Sequence, residues 1–294
     1  MATVFLTGVS GFVGAHVDSR LRERGHRVTG LRRGGPLPGR EDARGDLLDP
    51  VTYEHHLRNV DTIVHLAALT GKASPSMYER INVEGTSALL GAARRAGVGR
   101  MLFCSTIAVT FPDRRRYFYA ESKLAAERLV QASGIPCTVI RPTIVAGAGS
   151  PVVERLAMLA ALPLVPAFDG ARVKVQPILV DDLADFIVDL VEGGGFGNEV
   201  LELGGPEVLP LRDLLDRIHR RARGRPARFV DVPLRYVVPA LGMLERVAYP
   251  VLPFTIGQLS TFRFDGIARP NALWEARRDG LASVDHMLRG TDPA

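Results

Sequence analysis

Thr3-Val4-Phe5-Leu6-Thr7-Gly8-Val9-Ser10-Gly11-Phe12-Val13-Gly14 is the stretch that decides how this chain folds. Its first five residues are an unbroken apolar and β-branched run, which suits a strand buried on both faces of a parallel sheet. Glycines 8, 11 and 14 follow, and then a helical pattern over residues 15–24 that stops at Gly25. A strand, a glycine turn and a helix start together can hold a pyrophosphate. The helix N-terminus offers unpaired N–H groups and partial positive charge, and glycine lets the backbone come close to the phosphates. The spacing G-x-x-G-x-x-G is a variant of the dinucleotide fingerprint. An ordinary tight turn can carry the same glycines, but this one directly follows a buried strand. It predicts a dinucleotide cradle made by Thr7, Gly8, Gly11, Phe12, Val13 and Gly14.

Working outward, residues 26–31, 61–66, 100–105 and 137–141 read as further buried strands. Helical patterns cover 76–96 and 119–132. Strands alternating with helices predict an α/β fold with a doubly wound parallel sheet, helices lying on both faces because the crossovers are right-handed. After about residue 147 the pattern loosens. Segments 156–168 and 232–254 carry repeated prolines, while 173–180 leads into a helix over 181–192 and Glu199–Leu203 into one over 211–221. The expectation is a dinucleotide-binding core over 1–150. Residues 151–294 then mix sheet-completing elements with a smaller C-terminal substrate lobe.

Two places speak to chemistry. The second strand ends Gly30-Leu31-Arg32-Arg33, with no acid to bind a ribose 2′-hydroxyl. A guanidinium there can pair with a 2′-phosphate, so NADP is expected, with NAD as the less favoured cofactor. Two solvated arginines are the plain alternative. The second place is Tyr119-Ala120-Glu121-Ser122-Lys123 at the start of a helical pattern. Residues four apart share a helical face, and a nearby ammonium lowers a phenol pKa. Alone, Y-x-x-x-K usually marks two surface residues.

The chain has 294 residues, 46% hydrophobic and 23% charged, an ordinary globular balance. A net charge of +5 invites a nucleic-acid reading, which we reject. Only Lys72, Lys123 and Lys174 among the 37 basic residues are lysine, and the arginines are spread along the chain. Arg114-Arg115-Arg116 could serve an anionic small molecule instead. Cys104 and Cys137 cannot build a disulfide framework and suit a reducing, cytoplasmic setting. No secretory signal or membrane span is expected. Lys72 lacks the glycine and hydroxyl of a P-loop, and the seven histidines show no zinc spacing, so no metal is expected.

Taken in order, these motifs resemble the short-chain dehydrogenase/reductase superfamily, in its extended branch of NAD(P)-dependent epimerases and dehydratases. The resemblance runs from Thr3 to about Arg220 and implies a Rossmann-type core. Gly45-Asp46-Leu47 looks like the family's adenine-contacting pair, which implies cofactor contacts at Asp46 and Leu47. His65-Leu66-Ala67-Ala68 looks like the segment along the cofactor, implying Leu66, Ala67 and Ala68. Asn82-Val83-Glu84-Gly85-Thr86, Val180-Asp181-Asp182-Leu183-Ala184 and Gly204-Gly205-Pro206 match further landmarks. Ser105-Thr106-Ile107-Ala108-Val109 matches the strand end bearing the catalytic hydroxyl, here Thr106. Tyr119 and Lys123 match the active-site pair, and both also border the cofactor. Arg141-Pro142 matches the segment whose backbone, at Pro142, lies near the nicotinamide.

The residues themselves leave plainer roles open. Asn82 can serve as a backbone bridge, His65 as a packed strand-end residue, and Asp181 and Asp182 as a helix N-cap. The chain also departs from the pattern. Only residues 107–118 separate Thr106 from Tyr119, the V-Y-G after the hydroxyl motif reads Val109-Thr110-Phe111, and Arg33 stands where NAD users have an acid. Leu252-Pro253-Phe254-Thr255 and Gln258-Leu259 look more like the atypical group that includes an accessory subunit of respiratory complex I. The resemblance implies an NADP-dependent oxidoreductase, epimerase or dehydratase. Its substrate would be a small molecule reacting at a hydroxyl or carbonyl group, a nucleotide sugar or an acyl compound. The alternative is a non-catalytic NADPH-binding structural or redox-sensing protein. A homodimer is compatible with either.

Overall fold

The computed structural model describes residues 1–34, 40, 42–193, 195–248 and 256–290. The segment Leu252–Thr255 therefore lies outside the described residues. In chain order the elements begin with β1 (Thr3–Thr7), α1 (Phe12–Glu23), β2 (Arg27–Arg32), β3 (Ala43–Arg44) and β4 (Thr62–His65). Next come α2 (Pro75–Tyr78), α3 (Gly85–Ala96), β5 (Arg100–Cys104), α4 (Phe118–Gln131) and β6 (Cys137–Pro142). The remainder holds β7 (Val145–Ala146), α5 (Pro151–Ala160), β8 (Val165–Phe168), β9 (Lys174–Val175), β10 (Ile178–Leu179) and α6 (Val180–Gly193). It continues with β11 (Glu199–Leu203), β12 (Leu209–Pro210), α7 (Leu211–Arg223), β13 (Phe229–Val232) and α8 (Leu234–Ala248).

The chain forms two compact units that interleave in sequence. The first comprises Met1–Val109, Tyr119–Arg141 and Val180–Glu202. It carries a seven-stranded sheet in the order β11-β6-β5-β4-β1-β2-β3. β1 runs parallel to β2 on one side and to β4 on the other. That reversal of direction away from β1 is the switch point of a doubly wound sheet, beyond whose strand ends ligands bind. One face is covered by α1 and α6, which pack together. The other holds a core of Leu89 and Ala93 from α3 and Ala126 and Val130 from α4, against Phe5, Ile63 and Phe103 of the strands. The second unit comprises Thr110–Phe118, Pro142–Leu179 and Leu203–Ala294. Its separate core gathers Leu156, Val165, Leu215 and Phe262.

The structure differs from the sequence expectation at four places. The expected strand over 173–180 is broken into β9 and β10. Pro177 has no N–H for a ladder, and the buried Gln176 side chain instead donates to Gly205 O at 2.7 Å and accepts from Ala268 N at 2.9 Å. The expected helix over 76–96 contains a wide π turn, Glu79–Glu84, between α2 and α3. In the proline-rich stretch, β8 forms a strand and pairs in parallel with β13. Asp181 and Asp182 do not form the expected N-cap, because α6 already starts at Val180; they lie in its first turn, and Asp181 pairs with His16 Nδ1 of α1 at 2.8 Å.

Candidate active site

The glycine turn closes on itself, with Gly11 N donating to Gly8 O at 2.9 Å. Gly8 has φ +76°, and a Cβ there would stand 2.7 Å from Ala67 N, so only glycine lets β1 and the segment after β4 cross this closely. At Gly14 a Cβ would fall 2.0 Å from Gly8 O, which seats α1 directly on the turn. The N-cap of α1, Gly11, offers no side-chain cap, and the first turn holds no acid. The leading N–H groups of α1 therefore have no carboxylate competing for them. A cradle too tight for side chains beneath an uncapped helix start fits a dinucleotide pyrophosphate. Phe12 and Val13 open that helix.

A buried hydroxyl–imidazole chain braces the turn. Thr7 Oγ1 accepts from Ala67 N at 3.2 Å and lies 2.6 Å from His65 Nδ1. His65 Nε2 lies 3.0 Å from Thr86 Oγ1, whose own proton goes to Asn82 O at 2.6 Å. Thr86 must therefore accept from Nε2–H, and Nδ1 accepts from Thr7. Burial, with Lys123 nearby, pushes His65 down to about 3, so this ring is a neutral brace and no base. Leu66, Ala67 and Ala68 are half-buried just beyond it.

At the end of β2, Arg32 reaches Asp42 Oδ2 at 3.4 Å while Arg33 is exposed. Asp42 belongs to an ion cluster that sequence reasoning missed. The side chains of Asp18 and Asp42 are fully buried, and Arg22 and Arg40 pair with Asp18 at 2.9 and 2.5 Å. Among the described residues, two carboxylates against Arg22, Arg32 and Arg40 leave one surplus positive charge beside the turn. Asp46 is exposed, its Oδ1 accepting from Leu48 N at 2.9 Å, and Leu47 is buried against Gly85.

The expected active-site pair lies on α4. Tyr119 is half-buried and Lys123 is 2% exposed. The Lys123 ammonium sits 4.1 Å from the centroid of the Phe103 ring on β5, a cation–π contact. Burial pushes Lys123 down to about 8, while Cys104 and Glu127 pull it back up. The Tyr119 ring lies 6.1 Å from that of Tyr78, whose hydroxyl donates to Gly71 O. The π turn explains how α4 is aimed. Asn82 Oδ1 accepts from Leu69 N at 2.7 Å, and its Nδ2 donates to Leu69 O at 3.2 Å and to Ser122 Oγ at 2.9 Å. Ser122 in turn donates to Tyr119 O at 2.8 Å. Asn82 thus ties the start of α4 to the segment after β4.

Thr106 follows β5, its Oγ1 accepting from Ala108 N at 3.3 Å. The neighbouring Ser105 hydroxyl is buried and has no hydrogen-bond partner among the described residues. Pro142 is the last residue of β6 and is buried. The predicted residues thus fall at the C-terminal ends of β1, β2, β3, β4, β5 and β6 and on the first two turns of α1 and α4. In the second unit, Arg115 is spent on Asp113, which it grips with two bonds of 3.0 and 3.1 Å. These hydrogen bonds hold the Asp113 carboxyl down to about 2. Arg114 donates to Phe111 O.

Comparison with known proteins agrees with this architecture. The chain is 28% identical over 244 residues to the 2-alkyl-3-oxoalkanoate reductase of Stenotrophomonas maltophilia, covering 73% of this chain and 74% of that protein. It is 27% identical to subunit 9 of the Arabidopsis thaliana mitochondrial NADH dehydrogenase (ubiquinone) 1 alpha subcomplex, covering 99% of this chain and 75% of that one. Among solved structures, MoeE5 in complex with UDP-glucuronic acid and NAD superposes with a TM-score of 0.66 at 26% identity, over 79% of this chain and 85% of that chain. The profile of the NAD dependent epimerase/dehydratase family matches residues 4–204. With the glycine cradle at the switch point of its sheet, the chain belongs to that family and is an NAD(P)-dependent enzyme of the short-chain dehydrogenase/reductase type.

Proposed function

We propose that the protein is an NADP-dependent oxidoreductase, epimerase or dehydratase working on a hydroxyl or carbonyl group of a small substrate through Thr106, Tyr119 and Lys123. The observation that carries this reading is the buried ammonium of Lys123 one turn beyond a half-buried Tyr119. A lysine almost never goes this deep without a partner to serve. When bound, the dinucleotide gives or takes a hydride at its nicotinamide ring. The protein's own residues do the rest. The first amides of α1 and the backbone of Gly8 to Gly14 hold the pyrophosphate. Tyr119 Oη exchanges a proton with the substrate oxygen, Thr106 Oγ1 holds that oxygen by a hydrogen bond, and Lys123 keeps the phenol acidic and binds the nicotinamide ribose. Purified protein supplied with NADPH and a panel of carbonyl compounds tests this directly. Turnover on none of them, with cofactor bound, overturns it.

The NADP preference rests on Arg33, with Arg32, and on the surplus positive charge around Asp18 and Asp42. Titration is expected to show tighter binding of NADPH than of NADH. In Arg33→Asp the preference should reverse, because a lost charge-assisted bond is worth roughly tenfold or more. Equal affinities in the unaltered protein would refute the assignment.

For the substrate, likeness to a 2-alkyl-3-oxoalkanoate reductase favours an acyl-type carbonyl over a nucleotide sugar. Arg114 and Arg115 are already engaged locally, so the arginine run argues less for an anionic substrate than its composition implies. Two free thiols fit a cytoplasmic setting, and among the described residues no helix is long and apolar enough to cross a membrane. One observation favours a second reading, cofactor binding without turnover. It is the match over 99% of the chain to a subunit of the mitochondrial NADH dehydrogenase. NADPH capture with no activity on the carbonyl panel would select it.

A further inference from the structure

We propose that Glu127 is a positioning residue for Lys123, keeping its ammonium charged in a place where burial works against charge, and that Arg141, bridging Glu127 to Glu202, fixes where that carboxylate points. The proposal deepens the catalytic reading of Tyr119 and Lys123 and rests on it for its use.

Glu127 lies one helical turn after Lys123 on the inner face of α4, and both are buried, at 1% and 2% exposure. Arg141 on β6 grips Glu127 with two bonds, Nε to Oε1 at 3.1 Å and Nη2 to Oε2 at 2.7 Å. Its remaining nitrogen, Nη1, lies 3.7 Å from Oε1 of the buried Glu202 on β11. Of these four side chains Arg141 is the most exposed, at 16%. Arg141 thus holds the Glu127 carboxylate in place on the side of α4 that faces β6.

The other groups facing Lys123 supply no such charge. His65 of β4 is neutral, and the Phe103 ring of β5 offers only its face. Burial pushes the Cys104 thiol of β5 up to about 11, so the pull it would exert on Lys123 as a thiolate is absent in the range where Lys123 titrates. Glu127 is therefore the anion that offsets the desolvation of Lys123. A plain buried ion pair tying α4 to β6 would show the same Arg141–Glu127 geometry, but it would leave the lysine titration unchanged.

The lysine content makes the test direct. The chain has three lysines, so protein grown with side-chain-labelled lysine gives three NMR signals, assigned with Lys72→Arg and Lys174→Arg. In cofactor-free protein, Lys123 should titrate below the other two. Glu127→Gln should lower its midpoint by about one further pH unit and leave Lys72 and Lys174 in place. Glu127→Asp, which keeps the charge, should restore most of the shift. If Glu127→Gln does not fold, Glu202→Gln decides, with a smaller shift of the same sign. A Lys123 midpoint unchanged in the folded variant overturns the proposal. The outcome is separable from the catalytic reading, which stands or falls on turnover and on Tyr119→Phe.

Discussion

Tyr119→Phe should retain cofactor affinity and lose about 10²–10⁴ in turnover, the worth of proton transfer by a placed acid. The substitution deletes one hydroxyl and keeps the ring, so the packing against Tyr78 survives and the helix start tied by Asn82 and Ser122 is undisturbed. The loss should appear in kcat, since the hydroxyl acts in the transition state. Lys123→Met should go further and weaken cofactor binding as well, because in the proposed site one ammonium serves both the ribose and the phenol. With Lys123 at about 8, it is charged below that pH and loses its proton as pH rises through it. Carbonyl reduction should therefore decline on the alkaline side near 8. Thr106→Ser keeps the hydroxyl and should be tolerated, whereas Thr106→Val should not. Wild-type kcat in Tyr119→Phe would remove the tyrosine from the chemistry and leave cofactor binding without turnover as the better reading.

What could be seen in the sequence was local. β1 falls where the run Thr3–Thr7 predicts it, because a strand buried on both faces must be apolar throughout. The shared face of Tyr119 and Lys123 follows from helical spacing alone. What could not be seen depends on partners far along the chain. Asp18 and Asp42 look like ordinary surface acids until folding brings Arg22, Arg32 and Arg40 around them. The π turn at Glu79–Glu84 has no compositional signal, and the contacts of its Asn82 with Leu69 and Ser122 lie far along the chain. Glu127 carried a faint one, a carboxylate four residues after a lysine that must be buried. Its meaning came only with Arg141 from β6. The break between β9 and β10 was readable at Pro177, but the alternation Val173-Lys174-Val175-Gln176 running on into Ile178-Leu179-Val180 argued for one strand.

The glycine turn carries the second large effect. Gly14→Val should abolish cofactor binding in a chain that still folds. A Cβ at residue 14 meets Gly8 O at 2.0 Å, Gly8 C at 2.7 Å and Val9 Cα at 3.0 Å, all backbone atoms that cannot rotate aside. The start of α1 must then lift by about 1 Å from the turn, and its leading amides leave the place where they converge on a phosphate. Each charge-assisted amide–phosphate bond is worth about 1.5–3 kcal/mol, so losing two lowers affinity by about 10²–10⁴. A graded control comes from the same turn. At Gly11 a Cβ stands 3.2 Å from Gly8 O, a contact that a few tenths of an ångström relieves, so Gly11→Ala should weaken binding less than Gly14→Val. Gly25, at φ +79° with open space around it, tests strain alone. Gly25→Ala should cost about 1 kcal/mol of stability and leave NADPH affinity unchanged. Fluorescence titration with NADPH, beside a thermal melt of each variant, separates the two effects. Full affinity in a folded Gly14→Val protein would take the turn out of the cofactor site, and the uncapped N-terminus of α1 would then need another explanation.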